Sequence, residues 1–368
     1  MAYLFLYLII SIFVFIELGE KGNRKLLFAI SAMTIFLLTY FAGFRDNVGA
    51  DDHAYIAVFK EIKNVFHEDF AQSYINYYME PGFIFLTSFV KLITDDYHFL
   101  FLITSFLAIG INLYHYYKYS PFVMLTIGLY FSHTFLARDM NQIRAGLAAA
   151  ILLFSIKYIR EKNFYKFLFI IILASSFHIA AAVFFITYFI ARDYHKTTTY
   201  IYLLLIAIVL SYLELSKFLV ENLPDFLGII KTVLINYYNS VENKNATSTF
   251  DITNIKQLFI AISLILCFKR LQKTSSYFVI MFNIYFIGVF WRIIFSDFGI
   301  FAARFATFFT IVEVILVPFL LLCFFPRQRI IVAIIILCYG FATLYLNIFQ
   351  KKIKPVHSYK SYIIKENN

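Results

Sequence analysis

The stretch IIVAIIILCYGFATLYLNIF, residues 330–349, runs for twenty residues without a charge. A second stretch, YIYLLLIAIVLSYLELSKFL at 200–219, is nearly as apolar. About 20 apolar residues are what an α-helix needs to cross the hydrocarbon core of a bilayer. Neither stretch alternates apolar and polar residues, as the strands of a membrane barrel do. These stretches therefore predict membrane-spanning helices.

The composition supports the same interpretation for the whole chain. Of the 368 residues, 61% are hydrophobic and 15% are charged, whereas soluble domains have roughly 45–50% apolar and about 25% charged residues. The chain has a net charge of +10. In membrane proteins such an excess of Lys and Arg usually lies in the cytoplasmic loops. No basic stretch is interleaved with stacking aromatics in a polar region, so we expect no nucleic-acid partner. The chain is predicted to be an all-α polytopic membrane protein.

Apolar blocks recur along the chain and predict about twelve transmembrane helices in a single domain, 1–368. Placing the short basic loops in the cytoplasm, as the positive-inside rule requires, puts two long polar segments outside, about 43–96 and 220–254. Both termini then lie outside as well. The basic C-terminal tail does not fit this rule, so either one helix is miscounted or the tail binds anions there.

Two apolar segments depart from a simple span. Residues 81–93 are too few to cross comfortably, which predicts an interfacial or re-entrant helix. Residues 167–190 are interrupted by Ser175, Ser176 and His178 and have basic loops at both ends. We expect a tight helical hairpin with His178 near the outer face; a single straight span is the alternative.

Five arginines fall outside the cytoplasmic loops, at the outer face or inside helices: Arg45, Arg138, Arg144, Arg292 and Arg304. An arginine inside a membrane helix costs roughly 2.5–3.5 kcal/mol on insertion scales, so it normally faces a polar cavity or a partner. The alternative is that the side chain snorkels to the interface or pairs with a nearby carboxylate. Arg144 is the sharpest case. It lies in RDMNQIRAGLAAAILL, 138–153, where a helix start beside an arginine suits a phosphate.

The segment GFRDNVGADDHAYIAVF, 43–59, is the other concentration of polar groups. Its paired carboxylates, Asp51 and Asp52, could serve as metal ligands or as a general base; an ordinary solvated loop is the alternative. His178 could be a base, or a buried histidine that only hydrogen-bonds a neighbour. No other metal or nucleotide motif occurs, so we expect no bound metal and no cofactor. An outward-facing cavity with arginines, carboxylates and tyrosines suits lipid-linked saccharides.

Several short motifs occur along the chain in a fixed order. They are Arg45…Gly49-Ala50-Asp51…Tyr55, Glu80-Pro81-Gly82, Asn141-Gln142-Ile143-Arg144-Ala145, Phe177-His178, Arg304 and the terminal Ser358-Tyr359-Lys360-Ser361. Together they resemble the EpsG-like group of Wzy-type polysaccharide polymerases. The resemblance runs nearly the whole length, and the order and spacing of the motifs give it weight. Ala50 stands where that family usually has Thr.

The resemblance implies a glycosyltransferase in a bacterial cytoplasmic membrane, with its active site on the outer face and an architecture similar to GT-C enzymes. Such enzymes move a growing glycan from one polyprenyl diphosphate carrier to a sugar hydroxyl of another lipid-linked repeat unit. Membrane lipid surrounds the protein, and a flippase and a chain-length regulator are candidate partners. Capsule, exopolysaccharide and O-antigen are all open as products.

The expected site follows from the residues and the resemblance together. Arg144, with Arg138 or Arg304, would stabilise the leaving diphosphate. His178 is the first candidate for the base and Asp51 the second. The expected catalytic residues are His178, Asp51 and Arg144, and the expected substrate-binding residues are Arg45, Tyr55, Glu80, Arg138, Asn141 and Arg304.

Three other classes share parts of this pattern. A flippase for lipid-linked oligosaccharides would also need arginines in a cavity, but along helices facing both leaflets. An O-antigen ligase or another GT-C glycosyltransferase would differ in its acceptor. A membrane acyltransferase would need an intramembrane histidine with an acidic or Asn partner, and His178 has none nearby in sequence.

Overall fold

The computed structural model describes residues 2–20, 23–76, 79–216, 249–349 and 359–362, together with residues 218, 222, 235, 236 and 238. Most of the predicted loop 220–254 therefore lies outside the described residues, as does Ser358. Within the described part, the chain is helical and the one extended pairing is an isolated antiparallel bridge between Arg45 and Ser361. The all-α prediction is confirmed.

The chain divides into two compact units. Unit 1 comprises Met1–Tyr158, Asn163–Ala182 and Phe324–Asn368, and unit 2 comprises Ile159–Lys162 and Val183–Cys323. That the whole of 1–368 acts as a single polymerase domain stays a prediction.

The first half of the chain contains most helices of unit 1. They are α1 (Ala2–Gly19), α2 (Arg24–Gly43), α3 (Asp52–Glu61), α4 (Phe70–Asn76), α5 (Pro81–Val90), α6 (Tyr97–Tyr119), α7 (Val123–Tyr130), a π-helix (Phe131–Asp139), α8 (Ile143–Leu152), α9 (Ser155–Arg160) and α10 (Phe164–Phe177).

The second half begins with a 3-10 helix (Ile179–Ile186). It continues with α11 (Thr187–Ile190), α12 (Thr197–Ser211), α13 (Ile252–Leu271), α14 (Phe278–Ile294), α15 (Gly299–Thr310), α16 (Glu313–Leu316), a 3-10 helix (Val317–Cys323) and α17 (Arg329–Phe349), which returns to unit 1.

Side-chain caps set where several helices begin. A polar residue just before a helix accepts a hydrogen bond from one of the first free backbone N–H groups. Asn23 caps α2 through the backbone N–H of Leu26 at 3.1 Å, and Asp96 caps α6 through that of His98 at 3.0 Å. Asn163 and Asp251 cap α10 and α13 in the same way. Short polar residues thus mark these helix starts in the sequence.

Five described helices are long and apolar enough to cross a membrane, and a bent pair at Phe301–Thr310 and Glu313–Cys323 makes a sixth. The five are α1, α2, α6, α13 and α17. The protein is therefore a multi-spanning membrane protein. Further apolar helices of 10–17 residues are present, and the count of about twelve spans stays a prediction.

The polar stretch after α2 is more ordered than the sequence indicates, because it contains α3 and α4. Helix α3 buries Tyr55, Val58 and Phe59, which are spaced three and four residues apart as on one helix face. Charged residues at the two ends of the helix, Asp52 and then Lys60 and Glu61, mask this periodicity. The predicted short helix after it is α5, whose ten residues span about 15 Å at 1.5 Å each.

The interruption at His178 is real. Helix α10 ends at Phe177, and His178 has the extended backbone of φ −155° and ψ 113°. The Tyr188 hydroxyl donates a 2.9 Å hydrogen bond to the backbone carbonyl of Lys162. The chain therefore returns after 26 residues to the point where this segment begins. The predicted hairpin is confirmed, and a straight span is excluded.

Candidate functional site

Arg45 and Asp52 form a buried ion pair in the loop between α2 and α3. Arg45 Nη2 donates to Asp52 Oδ1 at 2.8 Å, and both side chains are 0% exposed. Arg45 Nη1 donates to the Ala42 carbonyl at 2.6 Å, and the guanidinium lies 4.2 Å from the ring centre of Phe101. A buried charge pair is tolerated when its remaining donors and acceptors are also satisfied. The Arg45 guanidinium is thus committed within the protein.

Gly49 completes this loop. Its backbone N–H donates to Asp52 Oδ2 at 2.6 Å. A Cβ at this position would lie 2.5 Å from the Met140 carbonyl oxygen and 2.6 Å from Asp52 Oδ1. Only glycine permits that approach, which brings the loop against the chain just before α8.

The same approach joins Asp51 to Asn141. The Asn141 side-chain carbonyl accepts a 3.2 Å hydrogen bond from the backbone N–H of Asp51. Asn141 is two residues before the first residue of α8, whose N-terminal turn carries Arg144. Arg138, at the end of the π-helix, donates to the Gln142 side chain. The segment 139–142, between the π-helix and α8, thus places Arg138, Asn141 and Arg144 around the start of α8.

Arg144 and Glu80 form a second ion pair, which is partly open to solvent. Arg144 Nη1 contacts Glu80 Oε2, and the two side chains are 24% and 16% exposed. Glu80 Oε1 accepts a 3.1 Å hydrogen bond from the backbone N–H of Ile179. The Nε of Arg144 is buried and has no hydrogen-bond partner among the described residues. Glu80 therefore links Arg144 to the break after His178.

A close contact between α5 and the end of α10 sets the position of Glu80. A Cβ on Gly82 would lie 2.8 Å from the Ser176 carbonyl oxygen and still closer to its hydroxyl. Glycine lets the two backbones touch, and Pro81 begins α5 in the position where its missing N–H costs nothing. The motif Glu80-Pro81-Gly82 thus presents the carboxylate at the start of a helix anchored to Ser176.

Aromatic side chains form the apolar floor of this site. Tyr55, Phe83, Phe101 and Ile143 belong to one buried cluster, with Phe177 packed against it. The Arg144 guanidinium lies 5.8 Å from the ring centre of Tyr55. Burial raises the pKa of Tyr55 to about 12, and the charge of Arg144 opposes that rise. Its hydroxyl thus stays protonated near neutral pH and can donate a hydrogen bond.

His178 is half-buried at the hairpin tip. Its Nδ1 accepts a 3.3 Å hydrogen bond from the backbone N–H of Ala180. In a neutral imidazole the other nitrogen then carries the proton. The Nε2 of this tautomer is a hydrogen-bond donor.

The structure brings most of the predicted site residues into one connected set in unit 1. Direct contacts or neighbouring positions join Arg45, Asp51, Tyr55, Glu80, Arg138, Asn141, Arg144 and His178. Arg304 lies on α15 in unit 2. The substrate and catalytic roles assigned to these residues stay predictions.

The sequence left open whether Asp51 and Asp52 act as a pair of carboxylates or lie in an ordinary loop. The carboxylate of Asp52 is occupied by Arg45 and Gly49, whereas Asp51 contacts Asn141 through its backbone N–H. Among the described residues, no group of three or more His, Cys, Asp and Glu side chains could hold a metal ion.

A second polar cluster lies in unit 2. Arg292 Nε donates to the Asn254 side chain at 2.7 Å, and its Nη2 lies 3.5 Å from Asp251. Lys256 forms a 2.8 Å ion pair with Glu313. Of the two interpretations of Arg292, the structure therefore supports pairing with a nearby carboxylate.

Sequence reasoning missed two components of the site. One is the pairing of Arg45 with Asp52, seven residues later, which only a folded loop reveals. The other is the segment 359–362, which contacts the chain at Phe44 and Asp46. Its resemblance to a family motif signalled that it mattered but not where it lies.

Helices long enough to span a bilayer, together with an arginine and a carboxylate at the mouth of a helix, define a membrane protein with a polar site at the start of α8. The family model for the EpsG family matches residues 28–362, and the chain belongs to that family of Wzy-type polysaccharide polymerases. It is 28% identical over 327 residues to the amylovoran biosynthesis protein AmsC of Erwinia amylovora, covering 85% of this chain and 86% of the relative. No solved structure matches.

Proposed function

We propose that the protein polymerises lipid-linked oligosaccharide repeat units at the outer face of a bacterial cytoplasmic membrane. It transfers the growing glycan from a polyprenyl diphosphate carrier to a sugar hydroxyl of another lipid-linked unit. The observation that carries the proposal is the Arg144–Glu80 pair at the start of α8. The pair is partly exposed, and Glu80 also contacts the backbone of Ile179, next to the helix interruption at His178. Membership of the EpsG family supports it.

The diphosphate is expected to bind at the first turn of α8. The free N–H groups of a helix start favour an anion, and an arginine adds a planar pair of donors. Arg144 has an unpartnered Nε and partial exposure, so it can turn from Glu80 to the phosphate. Arg138 lies six residues earlier, at the end of the π-helix, and donates to the Gln142 side chain. Arg304 is a further candidate from unit 2.

The transfer forms one bond and breaks one. The acceptor hydroxyl oxygen attacks the anomeric carbon of the donor glycan, and the bond from that carbon to the diphosphate oxygen breaks. The electron pair leaves with the diphosphate, where Arg144 stabilises the developing charge. Donors arranged in this way contribute roughly 3–4 kcal/mol each. The hydroxyl proton passes to a base of the protein.

Two residues compete for the role of base. Histidine is the side chain that most often serves as a general base, but the Nδ1 of His178 already accepts from the backbone N–H of Ala180, so in this tautomer Nε2 donates. Asp51 lies at the start of α3 beside Asn141 and needs no tautomer change. We therefore favour Asp51 as base, with His178 donating to a phosphate or sugar oxygen. Loss of elongation in Asp51→Asn, with residual activity in His178→Gln, is the expected pattern.

The remaining residues are proposed to hold the sugars and the site. Tyr55 and Asn141 offer a hydroxyl and an amide to sugar hydroxyls. Glu80 orients Arg144 between turnovers. Arg45, expected from the sequence to bind substrate, acts through the loop that it anchors because its guanidinium is committed to Asp52 and Ala42.

The setting of the reaction follows the sequence-based topology. We propose about twelve spans with GT-C-like architecture and an outward-facing cavity, and a flippase and a chain-length regulator as partners. The relative's name refers to amylovoran biosynthesis, which favours an exopolysaccharide as the product.

The decisive experiment incubates purified protein in nanodiscs with lipid-linked repeat units alone. Longer lipid-linked glycans support the polymerase, whereas movement of units between leaflets without elongation supports the flippase. Transfer to a lipid A core without elongation would support a ligase. Arg144→Ala protein is the matched control, because it should remain folded and leave the repeat units unextended.

A further inference from the structure

A short extended segment, residues 359–362, lies against the loop that carries Arg45, and we name it the C-terminal strap. Arg45 and Ser361 face each other in an antiparallel bridge. The backbone N–H of Asp46 donates to the Lys360 carbonyl at 3.0 Å, and that of Tyr362 donates to the Phe44 carbonyl at 2.9 Å. Two main-chain hydrogen bonds thus fasten the strap to both sides of Arg45.

Tyr359 anchors one end of the strap. Its ring stacks on Phe41 at a centroid distance of 3.8 Å and an interplanar angle of 10°. Its hydroxyl donates a 2.9 Å hydrogen bond to the Phe41 carbonyl, in the last turn of α2, where carbonyls lack helical partners. Burial raises the pKa of Tyr359 to about 12, so this donor persists at neutral pH. The edge of Tyr3 on α1 completes the contact.

Tyr362 anchors the other end. Its ring stacks on His98 at 3.9 Å, and His98 Nδ1 contacts the capping carboxylate of Asp96 at 2.6 Å. The neighbouring Tyr97 hydroxyl donates to Asp46 at 3.3 Å. The strap thereby ties α1, α2 and the start of α6 to the loop.

The contacts beyond Arg45 lead directly to the proposed site. The strap holds the backbone of residues 44–46, and the Arg45 side chain holds Asp52. Asp52 accepts from Gly49, and the next contact is Asp51 with Asn141 before α8. No other described segment pairs with the backbone at 44–46 in this extended manner.

We propose that the C-terminal strap is a positioning element of the glycan-transfer site. It holds the Arg45 loop in the conformation that sets Asp51 beside Asn141 and Arg144. The inference rests on the proposed function of that site. Two main-chain hydrogen bonds and the rings of Tyr359 and Tyr362 together hold the strap in place.

The test deletes residues 355–368 and adds them back as a peptide. The deletion variant, purified in nanodiscs, is assayed for elongation of lipid-linked repeat units. A linked segment has an effective concentration in the millimolar range, so the free peptide is supplied at about 1 mM. The matched control is the same peptide with Tyr362→Pro, which lacks both the N–H that bonds Phe44 and the ring that stacks on His98.

Deletion is expected to lower kcat about 100-fold, the scale for a misplaced site, while KM stays within about threefold. The native peptide should restore most of kcat, and the Tyr362→Pro peptide should not. A purely structural role in folding would not be reversed by a peptide added after purification. A deletion variant with the kcat of the full chain, or equal rescue by both peptides, would overturn the proposal.

Amide hydrogen exchange separates this inference from the proposed function. In the full chain the amides of Asp46 and Tyr362 should exchange slowly, and Asp46 should exchange faster after deletion. Equal exchange at Asp46 in both proteins would refute the docked strap whatever the activity. A native peptide that restores slow exchange at Asp46 without restoring kcat would refute the positioning role. If the full chain elongates no substrate, the proposed function fails even where exchange shows a docked strap.

Discussion

Two arginine–carboxylate pairs in unit 1 have the same chemistry and opposite surroundings. Arg45 and Asp52 are both 0% exposed, and the arginine also bonds Ala42 and stacks on Phe101. Arg144 and Glu80 are 24% and 16% exposed, and Arg144 keeps a donor without a protein partner. The first pair holds the fold of a loop, and we propose that the second exchanges its partner for a ligand.

Breaking the buried Arg45–Asp52 pair should have the largest effect on stability. Asp52→Ala leaves the Arg45 charge buried without its counter-ion, which costs about 3–5 kcal/mol in comparable cases. The check is thermal unfolding in detergent, followed by the loss of helical circular dichroism. The control Arg45→Met/Asp52→Leu removes both charges and should recover most of the stability. An Asp52→Ala melting temperature within about 2 °C of wild type would contradict a structural pair.

Breaking the partly exposed Arg144–Glu80 pair should affect catalysis instead. Arg144→Ala is expected to lower elongation 10²–10³-fold, roughly 3–4 kcal/mol of transition-state stabilisation, with a nearly unchanged melting temperature because Glu80 reaches water. Glycan length on gels and initial rates measure the effect. Arg144→Lys should recover only part of the rate, since an ammonium lacks the planar pair of donors. Normal chain length in Arg144→Ala would remove this residue from the mechanism.

The close packing of Gly82 against Ser176, which sets the position of Glu80, can be tested by substitution. Gly82→Ala forces α5 away from Ser176 and should cost about 1–3 kcal/mol of stability, with a loss of elongation because Glu80 moves. Unfolding and elongation are measured on one preparation.

The matched control is Gly110→Ala in α6, where a Cβ would meet nothing within 4 Å. That change should be neutral or stabilise by up to about 1 kcal/mol, since alanine favours a helix. A loss of elongation as large as that of Gly82→Ala would show that packing at Ser176 is not the cause.

The smallest expected effect concerns Tyr55 beneath Arg144. Its folded pKa of about 12 exceeds the unfolded value near 10, so folding favours the protonated phenol. This contribution is fully present below pH 10 and is lost as the pH rises towards 12. At pH 11 the loss is about 1.4 kcal/mol. Between pH 9 and 11, wild type should therefore lose more stability than Tyr55→Phe, and parallel curves for the two proteins would exclude the shift.

Much of the fold was open to sequence reasoning. Uninterrupted apolar runs predicted α2, α6 and α17, and the Ser-Ser-Phe-His interruption predicted the hairpin at His178. Periodicity and capping depend on residues close together in the chain, so they can be recognised from the sequence alone. Helix α3 was missed because Asp52, His53, Lys60 and Glu61 dilute its apolar face.

The sequence predicted which residues belong to the candidate site, but it did not predict which of them contact one another. Arg144 was expected to be catalytic and Glu80 to bind substrate, yet nothing in the sequence indicated that they pair across 64 positions. Asp51 and Asp52 looked equivalent, and their different partners separate them. Distances between side chains depend on how α5, α8 and α10 pack.

The sequence by itself determined that this protein is helical, spans a membrane and carries Arg144 beside a helix start, because apolar runs and helix-start residues are local properties of the chain. Only the tertiary structure decided which arginine pair is buried and which is partly exposed, and that residues 359–362 return to the Arg45 loop. Those outcomes depend on burial and on hydrogen bonds between residues 7, 64 and 318 positions apart, which arise only when the chain is folded.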